Sequence, residues 1–118
     1  MTTVVVVDDH AGFRAMAGVL LASGGFRVVG EAATGAEALT VVAALLPDVV
    51  LLDVHLPDTD GFAVLRSLRT AGLATRVVLC SVRMAADLGA RLDGCGAAGF
   101  LTKSALTAEA LSRLVRAD

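Results

Sequence analysis

Five short apolar runs, separated by stretches of helical periodicity, set the order of this chain. The runs are Thr3–Val7, Arg27–Ala32, Asp48–Asp53, Arg76–Ser81 and Gly99–Thr102. Each is bounded by polar or turn residues, the signature of a buried strand. After the first run, Phe13, Met16, Ala17, Leu20 and Leu21 repeat at i, i+3, i+4, i+7 and i+8, an apolar stripe on one helix face. Gly24-Gly25 ends it. Thr34 predicts an N-cap and Glu37 completes a capping box for a second helix carrying Ala38, Leu39, Val42 and Leu46, closed by Pro47. Phe62, Leu65 and Leu68 mark a third helix ending near Gly72. A weaker fourth, about Met84–Gly94, keeps Leu88 and Leu92 in phase but is interrupted by Gly89. The last starts near Thr107, has Glu109 in its first turn, and carries Ala108, Leu111, Leu114 and Val115.

Five strands alternating with five helices predict right-handed βαβ units and a parallel sheet covered on both faces. The first, third and fourth runs are apolar throughout, as central strands are. The second contains Arg27, Gly30 and Glu31, and the fifth is short and glycine-bounded, so both are edges. The expected architecture is a single doubly wound α/β domain, (βα)5 and flavodoxin-like, with sheet order 2-1-3-4-5.

Composition narrows the function classes. The 118 residues are 56% apolar, which excludes a disordered chain, and one domain of this size buries a real core. Aromatics are 3%, all Phe, so Ala, Val and Leu fill that core. The net charge is −2 with no basic run, so direct nucleic-acid binding by this domain is not expected. No apolar stretch reaches the roughly 18 residues of a membrane span, and no leader pattern opens the chain, so a cytoplasmic location is expected. Cys80 and Cys95 form no metal or disulfide pattern, and Cys80 reads as a small core residue.

The chemistry gathers at strand ends. Asp8 and Asp9 close the first apolar run and Asp53 closes the third. In an open parallel sheet these carboxyl ends form the ligand crevice. Three carboxylates there repel one another unless something positive shares the site, and a hard divalent cation such as Mg²⁺ is the simplest solution. Ser81 ends the fourth run and Lys103 follows the fifth, on the same rim. A carboxylate nucleophile, acids for a metal, a hydroxyl and an ammonium together suit the handling of a phosphoryl group.

The set Asp8-Asp9, Asp53 with Pro57 and Gly61 downstream, Ser81, and Phe100 three residues before Lys103 resembles the receiver domain of two-component response regulators. The segment Asp53-Val54-His55-Leu56-Pro57-Asp58-Thr59-Asp60-Gly61 is similar to the family's phosphorylation-site loop. The opening Asp8-Asp9-His10 and the Gly30-Glu31-Ala32 strand are most similar to the NarL/FixJ-type branch. The resemblance spans the chain, taken as one receiver domain over residues 1–118 without its DNA-binding effector domain. It implies a phosphoacceptor switch, not an enzyme acting on external substrates. Asp53 would accept a phosphoryl group from a sensor histidine kinase or a small acyl phosphate. Asp9, Asp53 and the backbone carbonyl of His55 would ligate Mg²⁺, with Asp8 acting through a coordinated water. Lys103 would pair with Asp53 and then with the phosphoryl group, and Ser81 with Phe100 would form the switch pair. The implied partners are the kinase, an effector domain or protein controlling transcription, and a second copy in a homodimer.

Three positions depart from the family pattern. Val82 stands where a small residue is usual and is expected to narrow access to Asp53. Ser104 replaces a common Pro, and His55 places an imidazole beside the site. Blander roles compete. Asp8-Asp9 suits a helix N-terminus electrostatically; Ser81 suits a helix cap, Phe100 ordinary core, and His10 and His55 solvent. Glu37 and Glu109 read as cap or dipole partners, and Arg66, Arg69 and Arg76 as a solvated face. Two other functions remain open. One is a degenerate receiver acting by protein contacts alone; the other is a small Mg²⁺ phosphohydrolase, which would want an acid at position 55 or 10 where histidines stand.

Overall fold

The computed structural model describes residues 1–116; Ala117 and Asp118, the end of the expected domain, lie outside the described residues. Its elements are β1 (Thr2–Val7), α1 (Ala11–Ser23), β2 (Phe26–Ala32), α2 (Gly35–Leu45), β3 (Val49–Asp53), α3 (Gly61–Thr70), β4 (Arg76–Ser81), α4 (Ala85–Leu88), β5 (Gly99–Thr102) and α5 (Ala108–Arg116). All strand pairs are parallel and the sheet order is β2-β1-β3-β4-β5. This is the expected flavodoxin-like arrangement, with the polar β2 and the short β5 at the edges.

Side-chain alternation splits the strands between two cores. Val5, Val7, Val50, Leu52, Val77 and Leu79 join α2, α3 and α4 on one face. Val4, Val6, Val49, Leu51, Val78 and Cys80 join α1 and α5 on the other. Each central strand is apolar throughout because both of its faces are covered. Among the described residues, no helix is long and apolar enough to cross a membrane.

Several expectations need correction. Met16 is exposed, and α1 buries Ala17 and Leu21 instead. Leu46 does not belong to the buried face of α2. It caps the helix in the left-handed region (φ 48°), because Pro47 cannot continue the helix, and its side chain is exposed. The fourth helix stops at Leu88 rather than running to Gly94. Gly89 turns out of the helix at φ 58°, and a 3₁₀ turn over Gly89–Leu92 follows. Arg66, Arg69 and Arg76 are all exposed, as expected of a solvated face, yet two of them also hold backbone carbonyls. Arg69 donates to the carbonyls of Leu73 and Thr75, and Arg76 donates to that of Val115 at 2.6 Å.

The helix caps follow the sequence more closely. Thr34 Oγ1 accepts the amide of Glu37, while the Glu37 carboxylate reaches the amide of Ala33, one residue before the cap. Asp60 caps α3 through the amide of Ala63, and Thr107 caps α5 through that of Ala110. Glu109 pairs with Arg113 one turn on.

Candidate functional site

Four parallel strands deliver the chemistry to one rim. Asp8 follows β1, Asp53 closes β3, Ser81 closes β4 and Lys103 follows β5. Alternation then sorts them. Asp53 is in phase with Val49 and Leu51, toward α1 and α5, whereas Ser81 is in phase with Val77 and Leu79, toward α2–α4. Phe100 is half-buried and packs on that same second core. The acids and the lysine thus share one side, and the hydroxyl and the ring the other.

Burial makes the charges costly and therefore specific. Asp8 is 0% exposed and Asp53 4%, while the Lys103 side chain is 14% exposed. Lys103 Nζ lies 2.6 Å from Asp8 Oδ2 and 3.2 Å from Asp53 Oδ2. The expected pairing with Asp53 is present, but the shorter contact is to Asp8. The ring of Phe13 walls the ammonium at 4.7 Å, a cation–π contact from a residue whose spacing spoke only of core. Asp53 Oδ1 accepts the amide of His55 at 3.1 Å.

These surroundings shift the titrations. Burial raises the Asp53 carboxyl, and the nearby Asp8 charge adds to it. The His55 amide and Lys103 oppose the shift, yet the carboxyl stays above its ordinary range. Burial alone would lower the Lys103 ammonium; Asp8 and Asp53 outweigh it and hold the ammonium above its usual value. One strand away, burial pushes the Cys80 thiol up to about 12.

Asp9 is the exposed member of the acid pair. His10, at 73% side-chain exposure, is as solvated as expected, yet its Nδ1 stands 3.3 Å from Asp8 Oδ1 and 3.1 Å from Asp9 Oδ1. Ligand atoms of Asp8, Asp9 and His10 fall within 4.8 Å of one another, and Asp53 is outside that group, with Lys103 between it and Asp8. The donors fit a hard divalent cation. Asp8 Oδ2 is buried and faces the Lys103 ammonium, which it shares with Asp53. Three carboxylates against one ammonium also leave two negative charges uncompensated, the charge of one such ion.

The rim opens on a cleft of about 210 Å³ lined by Asp9, Asp53, Lys103, His55, Pro57 and Val82. Val82 is 77% exposed on its wall. A larger hollow of about 560 Å³ lies at the opposite end of the sheet and touches neither the acid pair, Asp53 nor Lys103, so it is no rival for this chemistry. Ser81 is fully buried, and its Oγ accepts the amide of Arg83. Among the described residues no peptide bond is cis, including that before Ser104.

Two supports were not legible in the sequence. Arg14 donates from Nη1 to the Asp8 carbonyl at 2.6 Å and from Nε to Glu31 at 2.8 Å, tying the acid turn to β2. Gly61 brings α3 against the end of β3. A Cβ there would stand 2.7 Å from the Asp53 carbonyl oxygen and 3.1 Å from Val54 Cα. The glycine was visible in the sequence; the backbone it touches was not.

Comparison with known proteins agrees with this geometry. Residues 4–116 match the family model of the response regulator receiver domain. The chain is 44% identical over 107 residues to the NarL protein of Mycobacterium tuberculosis, covering 90% of this chain and 50% of that one. It is 40% identical over 110 residues to the response regulator GacA of Pseudomonas viridiflava, covering 92% and 51%. The chain thus spans about half the length of these relatives. Its backbone superposes on the signal receiver domain of M. tuberculosis NarL with a TM-score of 0.89 at 39% identity, covering 99% and 98% of the two chains. A LuxR-family two-component response regulator from Aurantimonas sp. gives 0.84 at 28%, covering 99% and 85%. The chain belongs to the response regulator receiver domain family.

Proposed function

We propose that this domain is a phosphorylation-controlled switch with Asp53 as the acceptor. The observation that carries it is the buried Asp53 carboxylate, open to a cleft and held 3.2 Å from an ammonium that also pairs with a second buried acid. One Asp53 oxygen attacks phosphorus as the bond from phosphorus to the donor nitrogen or acyl oxygen breaks, and the electron pair leaves with the donor. Lys103 neutralises charge on the transferred oxygens, and the His55 amide orients the acceptor carboxylate. Asp9, Asp53 and the His55 carbonyl would hold Mg²⁺, with Asp8 behind a coordinated water. Bound there, the ion would favour the ionised carboxylate and screen the incoming phosphoryl oxygens.

Ser81 and Phe100 form the switch. The Ser81 hydroxyl leaves the Arg83 amide for the new phosphoryl oxygen, and the half-buried Phe100 ring follows inward. The face of α4, β5 and α5 carries the signal. A histidine kinase is the donor and a transcription-controlling effector the recipient in this reading, which is supported by the similarity to the probable transcriptional regulatory protein NarL. Location in the cytoplasm and a homodimer belong to the same reading.

Incubation with Mg²⁺ and acetyl phosphate is expected to add one phosphate by intact mass, and Asp53→Asn to abolish it. An unchanged mass under forcing conditions would favour a degenerate receiver that works by contacts alone.

A further inference from the structure

The first turn of a helix leaves four amides without intrahelical partners. In α2 these belong to Thr34, Gly35, Ala36 and Glu37, and the Glu37 amide is met locally by Thr34 Oγ1. Two more are met from far along the chain. Asp58 Oδ1 accepts the amide of Gly35 at 2.8 Å and Asp58 Oδ2 accepts that of Ala36 at 3.0 Å. These bonds hold the Asp58 carboxyl below the usual carboxylate range. Next to Asp58, the Thr59 methyl lies so close to Gly35 that a Cβ there would stand 2.3 Å from it. The contact needs both an acid in the loop and a residue without a side chain on the helix.

Asp58 belongs to the acceptor loop. The amide of Leu56 bonds the carbonyl of Thr59 at 3.2 Å, so Pro57 and Asp58 sit at the tip of a tight turn. His55 bridges Asp60, and Gly61 donates to the carbonyl of Val54 at 2.8 Å. The His55 amide already holds Asp53 Oδ1. Asp60 fixes one limb of the loop by capping α3. The tip between the two limbs is tied to α2 through Asp58.

We propose that Asp58 is a positioning residue for the phosphoacceptor site, anchoring the acceptor loop on the α2 N-terminus so that the His55 backbone keeps its place against Asp53 and the metal. The inference rests on the phosphoacceptor reading of Asp53. It makes α2 a support of the acceptor loop rather than a passive covering helix.

The test compares Asp58→Ala with Thr34→Ala. Both remove bonds from the same helix end, but only the first releases the loop. Mg²⁺ affinity by calorimetry and the backbone amide shift of His55 are read in the whole protein, alongside urea unfolding. Asp58→Ala is expected to weaken Mg²⁺ binding about tenfold, the lower end for outer-shell supports of a metal site. The His55 amide shift should move with it, Thr34→Ala should leave both within about twofold of wild type, and Asp58→Asn, which keeps an accepting oxygen, should lie between. Equal losses from Asp58→Ala and Thr34→Ala would make the effect one of helix stability and overturn the proposal, as would unchanged Mg²⁺ affinity in Asp58→Ala. If wild type binds Mg²⁺ with this dependence yet never accepts phosphate, the acceptor reading fails and the positioning role survives.

Discussion

Replacing Lys103 by Met removes the cation that two buried carboxylates share. At an effective dielectric of about 20, a contact at 2.6 Å is worth about 6 kcal/mol of attraction and one at 3.2 Å about 5 kcal/mol. Desolvation of the ammonium and the mutual repulsion of Asp8 and Asp53 offset most of that. Removing one partner of a buried pair costs about 3–5 kcal/mol in practice. That range is the expected loss at pH 7.5 in metal-free buffer, and a domain with about 5–15 kcal/mol of stability should stay folded. The pH dependence identifies the cause. The folded-state carboxyl of Asp53 already lies above its unfolded value, so its favourable contribution is full below the unfolded pKa and is lost as pH rises through the folded one. Without Lys103 the folded value climbs further. The deficit should therefore be largest near neutrality and shrink as pH falls, vanishing only well below the unfolded carboxyl value of about 3.9, where Asp53 is protonated in both states. With no Trp or Tyr in the chain, urea unfolding is followed by far-ultraviolet circular dichroism. Added Mg²⁺ should recover part of the loss by binding the folded state alone. A deficit under about 1 kcal/mol at pH 7.5, the size of an exposed pair, or one that does not change with pH, would refute the reasoning.

Gly61→Ala should destabilise by about 1–3 kcal/mol, the usual cost of overpacking, because the added methyl meets the Asp53 carbonyl and the Val54 backbone, neither of which can swing aside; equilibrium unfolding checks the loss and acetyl phosphate labelling should slow with it. Val82→Ala should speed that labelling several-fold while leaving stability within about 0.5 kcal/mol, since the side chain is 77% exposed on the cleft wall; a rate that does not change would remove Val82 from the control of access.

The parts of this molecule that the sequence announced are those written in local periodicity. Val4 to Val7 and Val49 to Leu52 are apolar without a break because each strand is covered twice, and the charged residues of the β2 edge follow from the same logic. The acids and Lys103 were legible because they interrupt apolar runs at strand ends. Thr34 caps α2 within three residues of its own position, as its spacing to Glu37 predicts. What escaped depends on pairs distant in sequence. Nothing near Asp58 announces that its carboxylate will meet Gly35, or that Arg91 Nη2 will reach Asp60 Oδ2 at 3.1 Å and stack 4.3 Å over Phe62. The Leu88–Leu92 spacing suggested more helix than forms, because glycines at 89, 94 and 96 all take positive φ. Met16 fitted an apolar stripe, but the contact face of α1 is narrower than its periodicity.

The two cysteines differ in a way that makes the protein its own reporter. Cys80 is buried in the sheet with its thiol held near 12, so almost none of it is thiolate at neutral pH. Cys95 is half-buried and lines a hollow of about 280 Å³ with Phe62, Arg66 and Arg91, beside the short α4 segment. A maleimide dye or nitroxide should therefore attach at one place without any cysteine being removed first. In a chain that lacks the usual fluorescent side chains, that place sits where Phe62 and Arg91 meet, ready to register movement between α3 and the segment after α4.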